Sequence, residues 1–459
     1  MSATTKLLES LGTRGYTHAV VAFLDDQGYP LSVATGFAVD AESGAVLLDP
    51  VAGQAVEPPL GREVNVVFSH IRPQPGVGYD ERRYVSLWGI LRRSDGKLEL
   101  LPERIQHWDE QEMTFFEYSE RGVPQAHRYM ERVSRELGRP VRPTLSAGWL
   151  FLRATRLPFL SATFIPVALG VAVAALHHEW HWWLAILTLV AAASVHLGLN
   201  VGNDVFDTLS GADQANMTPT QFSGGSRVIL YGLLTLRQMV LLMLGFYAAA
   251  IGIGLFLAAY TAFWPVFWLG VAGVFISVFY TAPPLRFVHR GIGELMVALG
   301  FGPIMTMGAY YVQAQRWSWE AFYVSLPVAI LIALVLYVNE VPDRPGDAAA
   351  GKRTLPVRLS KEAVIGVYVG AVAVAFGLIA GGAIAGVIVR PAILALLAAP
   401  LATQVYRGLR DHYESPYQLM PFMGKGVQLH LATGLLLLVG YLIAIVASHL
   451  SGHPPVFLR

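Results

Sequence analysis

The chain has 459 residues, 54% of them hydrophobic and only 14% charged, against about 25% charged in ordinary soluble domains. A net charge of +1 without a dominant basic block excludes a surface that tracks nucleic acid, and the lack of cysteine excludes a disulfide framework, a thiolate metal site and a cysteine nucleophile. Charge crowds the first ~150 residues and apolar sequence follows, which implies a polar head joined to a membrane body.

The opening Met-Ser-Ala-Thr-Thr-Lys runs into polar sequence with no apolar stretch, so no cleavable signal peptide is expected and the head should stay cytoplasmic. Alternating or short apolar runs at 17–24, 31–39, 45–48, 63–69, 83–91 and 97–101 are separated by turn signals such as Asp25-Asp26-Gln27-Gly28. They predict a small all-β barrel or sandwich. A helical stretch over 124–137 follows, and Gly138-Arg139-Pro140-Val141-Arg142-Pro143 then breaks the pattern. The expected division is a soluble head over 1–140, a linker over 141–156 and a membrane domain over 157–450.

Apolar runs long enough to cross a bilayer recur at 157–176, 182–203, 236–259, 263–280, 292–312, 322–340, 363–389, 391–406 and 427–448, which predicts about nine transmembrane helices. Their basic flanks lie mostly on one side: Arg153, Arg156, Arg227, Arg237, Arg286, Arg290, Arg344, Lys352, Arg353, Arg358, Lys361, Arg407, Arg410 and Lys425. Only Arg316, Arg390 and Arg459 fall on the other, so the basic loops and the head are expected in the cytoplasm.

The second run continues into Asn200, Asn203, Asp204, Asp207 and Asp213. Asp204 and Asp207 stand at i,i+3, and Asn200 and Asn203 precede them by four, so these side chains share one helical face. At the end of the sixth run Asn339, Asp343 and Asp347 repeat the i,i+4 step beside Glu340, with Pro342 and Pro345 loosening the helix. Ionisable groups so close to a span are costly and usually mark function. Two carboxylate clusters on one membrane face suit a diphosphate bound through magnesium, which takes few protein carboxylates and keeps phosphate and water ligands. Arg227, after Ser223-Gly224-Gly225-Ser226, and Lys352 and Arg353 are candidate phosphate contacts.

On these motifs the body resembles the UbiA superfamily of intramembrane prenyltransferases, over about residues 146–448. Gly351-Lys352-Arg353-Thr354-Leu355-Pro356-Val357-Arg358-Leu359 is most similar to the branch that prenylates 1,4-dihydroxy-2-naphthoate. Pro342 and Glu340 stand where that branch often has Arg and Asn. The resemblance implies a nine-helix fold and transfer of a polyprenyl group from an isoprenoid diphosphate to an aromatic quinone precursor. It further implies Asp204, Asp207, Asp343 and Asp347 as magnesium ligands and catalytic residues. Asn200, Asn203, Asp213, Arg227, Asn339, Lys352 and Arg353 are the expected substrate contacts.

Tyr280 and Tyr337, near cytoplasmic helix ends, could shield an allylic cation or simply sit at the membrane interface. Glu294 is a candidate base or acceptor contact, or a helix N-terminal acid. His177, His178 and His181 with Trp180, Trp182 and Trp183 read as an interfacial belt on the far face rather than a metal site. The head, through Asn65-Val66-Val67-Phe68-Ser69-His70, Arg83-Tyr84-Val85-Ser86-Leu87-Trp88-Gly89-Ile90, Arg72 and Arg82, resembles the FMN-binding split β-barrels related to pyridoxamine 5'-phosphate oxidase. That likeness implies a flavin or a degenerate regulatory barrel. Competing readings are a secondary transporter and a flavin-linked quinone-modifying protein whose membrane part is an anchor; aspartates at helix ends rather than mid-membrane favour the enzyme.

Overall fold

The structure, a computed structural model, describes Leu11 and residues 15–25, 29–40, 43–49, 57–74, 78–94, 96–113, 115–141, 145–216 and 219–451. The expected turn at 26–28, the linker end at 142–143 and Arg459 lie outside the described residues. Two compact units are present, Met1–Gly122 and Val123–Arg459.

The first unit is antiparallel sheet. Its strands are β1 (Ala19–Leu24), β2 (Pro30–Thr35), β3 (Phe37–Asp40), β4 (Ala45–Leu48), β5 (Glu63–Gln74), β6 (Gly78–Ser94), β7 (Lys97–Leu100) and β8 (Arg104–Asp109). In β1 alternate residues are buried, Ala19, Val21 and Phe23, and they join Val66, Phe68, Val85 and Leu87 in one apolar core. The strand β6 serves two ladders, pairing β5 and β8 up to Ile90 and β7 from Leu91. At the changeover Gly89 is required, because a Cβ there would stand 2.3 Å from the Leu101 carbonyl oxygen.

The order β2-β1-β5-β6-β7-β4-β3 corrects the expected split barrel: the sheet is not closed, β2 and β3 forming the two ends of the path. Strand β8 was not expected, since Arg-Ile-Gln-His-Trp-Asp offers one aliphatic residue and is stabilised mainly by its ladder to β6.

Helix α1 (Phe115–Leu137) begins before the expected 124. After it come α2 (Ala147–Thr155), α3 (Leu157–Leu176, opening on a 3-10 turn), α4 (Trp182–Ser210), α5 (Leu236–Tyr260), α6 (Phe263–Phe279) and α7 (Gly293–Ala314). Then follow α8 (Trp319–Asn339), α9 (Lys361–Ile384), α10 (Arg390–His412) and α11 (Pro416–Ser451). Starts are fixed locally: Thr235 and Gln238 form a reciprocal capping box, and Ser146, Ser318 and Ser360 each accept from an amide three residues on.

Among the described residues eight helices are long and apolar enough to cross a membrane, and α6 is a shorter apolar helix of 17 residues. The expected span at 427–448 begins earlier, at Pro416, because polar residues such as Lys425 lower hydropathy without interrupting the helix.

The membrane core joins Ile165 and Leu169 of α3, Tyr310 of α7, Val324 of α8, Ala392 of α10 and Tyr441 of α11. Small residues permit close crossings: a Cβ on Gly170 would lie 2.3 Å from the Thr306 carbonyl oxygen. Within α7, Gly300–Ile304 forms one π-helical turn containing Pro303. Gly302 of that turn sits against α8, where its Cβ would meet that of Ala329 at 2.3 Å.

Candidate active site

Helix α4 carries Asn200, Asn203, Asp204 and Asp207 to its C-terminal end, where Gly211 in left-handed backbone closes the helix and a short turn, Ala212–Ala215, presents Asp213. Helix α8 ends at Asn339, and the short helix Arg344–Ala349 follows, with Pro345 in its first turn and Asp347 buried. A cavity of about 170 Å³ lies between them. Its wall includes Asn200, Asn203, Asp207, Asp213, Asn339, Asp343, Asp347, Lys352 and Tyr280 from the sequence-derived set, together with Arg156, Asn216 and Glu340.

The four motif aspartates are held differently. Asp204, 2% exposed, accepts from Arg156 Nη2 at 2.7 Å, from the Ser226 amide at 3.1 Å and from the Ser226 hydroxyl. Asp343 accepts from Asn216 Nδ2 at 2.7 Å and from the Gly224 amide at 3.0 Å. Asp207 accepts from Asn203 Nδ2 at 3.1 Å through Oδ2 and leaves Oδ1 without a hydrogen bond, and Oδ2 of Asp347 is likewise free. Lys352 Nζ bridges the motifs, 3.5 Å from both Asp207 Oδ2 and Asp347 Oδ1.

The loop Ser223-Gly224-Gly225-Ser226 thus spends its expected amides on the two aspartate motifs and ties one to the other. Gly224 and Gly225 have φ of 76° and 74°, and a Cβ on Gly225 would stand 3.0 Å from Oδ1 of both Asp204 and Asp213. Arg227 braces the loop from behind, its guanidinium donating to the backbone oxygens of Gly224, Asp213 and Asn216.

Four expected site residues are elsewhere. The cavity wall does not include Arg227, Arg353 or Tyr337, nor Asp204, an expected magnesium ligand whose oxygens are taken up by Arg156 and Ser226. Arg353 is exposed, and the Tyr337 hydroxyl donates to the Val364 carbonyl inside an apolar cluster. Glu294 is buried at the start of α7 and accepts from the Leu355 amide at 3.2 Å. On the opposite face His177 pairs with Glu320 at 3.5 Å.

Arg156 is the main residue that sequence reasoning missed. It stands in left-handed backbone at the end of α2, points its guanidinium at Asp204, lines the cavity and leaves Nε buried without a partner. Only its place among the basic flanks pointed to it, because nothing local shows that α2 folds beside α4.

Electrostatics in the cavity are dominated by carboxylates. Burial first, then Asp207 and Asp204, pushes Asp213 up to about 8. Burial and the Asp343 and Asp207 charges push Asp347 up to about 7 against the opposing pull of Lys352. Glu340 is raised well above its ordinary range by burial and then by Glu294. Burial works against the Lys352 charge, but Asp207 and Asp347 outweigh it and hold the ammonium well above its usual range.

A second cavity of about 520 Å³, almost wholly apolar, runs between α4, α5, α6 and α7. It shares His196, Leu199, Tyr280, Val297 and Phe301 with the carboxylate cavity, so these residues form a neck between the two.

The model of the UbiA prenyltransferase family matches residues 163–426, more than half of the chain and all of both aspartate motifs. The chain belongs to that family. It is therefore a prenyltransferase, and the transporter and passive-anchor readings fall away.

Relatives include the 2-carboxy-1,4-naphthoquinone phytyltransferase of Synechocystis sp., 29% identical over 64% of this chain and 92% of the relative. The 1,4-dihydroxy-2-naphthoate octaprenyltransferase of Mycobacterium tuberculosis is 34% identical over 54% and 81%. Among solved structures, a UbiA homologue from Archaeoglobus fulgidus bound to GPP and Mg2+ is 15% identical and covers 63% of this chain and 99% of that one, with a TM-score of 0.43. The family match begins at 163, beyond the head, and with the open sheet it leaves the FMN expectation without support.

Proposed function

We propose that this prenyltransferase moves a polyprenyl group from an isoprenoid diphosphate to an aromatic, naphthoate-type quinone precursor, with magnesium bound at the carboxylate cavity. The observation that carries the reading is the pair of adjoining cavities, one rich in carboxylates and one apolar, with five wall residues in common. A diphosphate ester with a long hydrocarbon tail has that same division.

Magnesium fits the residues present. Five carboxyl groups face the cavity against two cations, Arg156 and Lys352; Lys352 joins Asp207 Oδ2 to Asp347 Oδ1, and the other oxygen of each, Asp207 Oδ1 and Asp347 Oδ2, is buried without a hydrogen bond. Asp207, Asp343 and Asp347, with Asp213 beside them, would hold the ion, while Asp204 fixes Arg156 and the glycine loop. When bound, magnesium neutralises the carboxylates and draws charge from the leaving diphosphate.

The protein's own contribution is electrostatic. Lys352 and Arg156 are placed to receive the negative charge that builds as the C–O bond of the donor breaks. The apolar cavity takes the chain and excludes water, so the allylic carbon waits at the neck for the aromatic ring, whose attacking carbon then gives up the proton or carboxyl group it carried as the new carbon–carbon bond forms. The Tyr280 ring lines that neck and offers a π face to a developing cation. The names of the naphthoate-acting relatives support the acceptor class.

Purified protein incubated with magnesium, isoprenoid diphosphates of several lengths and a panel of aromatic acceptors should release diphosphate in step with prenylated product. Product formed at full rate in chelator, or none with any aromatic acceptor, would overturn the reading.

A further inference from the structure

Of the five residues at the neck, Leu199, Val297 and Phe301 are apolar, which leaves the phenol of Tyr280 and the imidazole of His196 as its polar groups. It lies on the same stripe of α4 as Asn200, Asn203 and Asp207, at spacings of four, seven and eleven residues, on the side toward the apolar cavity. His196 is held from both sides. The hydroxyl of Thr163, itself fully buried on α3, meets Nδ1 at 2.8 Å. Phe301, presented by the π turn of α7, packs edge-to-face on the ring at 4.7 Å.

With Nδ1 committed to Thr163, either tautomer leaves Nε2 as the ring's remaining hydrogen-bonding atom, a donor or an acceptor, on a residue that lines both cavities. A hydrocarbon chain has no use for such an atom, and a hydrogen-bonding atom on a residue that lines an apolar cavity gains from a polar partner on the bound molecule. The group that must enter the neck beside the allylic carbon is the aromatic acceptor, whose ring oxygen activates the neighbouring carbon.

We infer that His196 is a positioning residue for the acceptor: Nε2 hydrogen-bonds a ring oxygen substituent and thereby turns the adjacent carbon toward the prenyl group. Thr163 and Phe301 fix the imidazole so that this bond selects one ring orientation. The inference rests on the proposed function.

The test is kinetic. His196→Phe should raise KM for a dihydroxynaphthoate-type acceptor about tenfold while KM for the isoprenoid diphosphate changes less than about twofold. His196→Gln, which keeps a polar atom at similar reach, should recover part of the loss. An acceptor with the ring hydroxyls converted to methyl ethers should be a poor substrate for the parent protein and lose little further in His196→Phe, the signature of a coupled pair.

Thermal midpoints measured alongside separate this from a merely structural role. An unchanged acceptor KM in a folded His196→Phe variant, or equal losses with hydroxylated and methylated acceptors, would overturn the inference and leave the proposed function standing. Failure of the parent protein to prenylate any aromatic acceptor would remove both.

Discussion

At the scale of single residues, the four motif aspartates are equivalent in sequence and unequal in space. Asp207 keeps a free oxygen at the cavity, so Asp207→Ala should lower kcat by at least about a hundredfold, with only a modest fall in thermal midpoint because Lys352 retains Asp347. Asp204→Ala removes the partner of Arg156 and of Ser226, and leaving the partly buried guanidinium and the Ser226 amide without that carboxylate costs about 1–3 kcal/mol. That variant should lose both activity and stability, a contrast readable by assay and melting curve together.

The carboxylates also set a pH dependence. Asp347 at about 7 and Asp213 at about 8 lie above the ordinary aspartate value of 3.8, so folding favours their protonated forms. Their stability contribution is present below about pH 4 and is lost as pH rises through about 7 to 8. Metal-free protein should therefore melt at lower temperature as pH rises from about 5 to about 9, and magnesium with a diphosphate should reverse the trend by displacing those protons. Calorimetry in buffers of different ionisation enthalpy should show protons released on binding, most near neutral pH.

At the scale of elements, what the sequence revealed is what periodicity carries. The i,i+4 repeats of Asn and Asp placed both motifs at the ends of α4 and α8, and long apolar runs located the membrane helices. Contacts between elements distant in the chain were not legible: Arg156 reaching Asp204 across 48 positions, Gly224 reaching Asp343 across 119, and Arg227 turning to backbone oxygens rather than to the cavity. Hydropathy likewise gave no warning of the open sheet in the head, because closure depends on pairing between strand edges and not on alternation within them. The glycine loop supplies a test at this scale. Gly225→Ala places a methyl 3.0 Å from two carboxylate oxygens in backbone that disfavours side chains, a strain of about 1–3 kcal/mol. Activity should fall more than stability, since the displaced groups are Asp204 and Asp213, whereas Gly245→Ala, in open space on α5, should change neither.

At the scale of the whole molecule, we propose that the chain makes nine crossings, with α6 as the short one. Helix α5 departs from the face that holds the carboxylate cavity, since the loop before it contacts Asp343. The loop after α6 returns to that face: the Arg353 amide donates to the His289 carbonyl at 3.2 Å and Arg358 to the Arg290 carbonyl at 2.9 Å. Between these points the chain must cross back, and only α6 is available. Its 17 residues span about 26 Å, slightly under the ~30 Å hydrocarbon core, a mismatch that local thinning accommodates. Because basic side chains gather on the cavity face, that face should be cytoplasmic. The chain lacks cysteine, so single cysteines give an unambiguous readout. With a membrane-impermeant thiol reagent on intact cells, Ala262→Cys and Trp317→Cys should label, while Arg286→Cys and Glu362→Cys should label only after permeabilisation. Equal labelling at 262 and 286 would show that α6 does not cross, and the inverse pattern at all four positions would place the carboxylate cavity on the outer face.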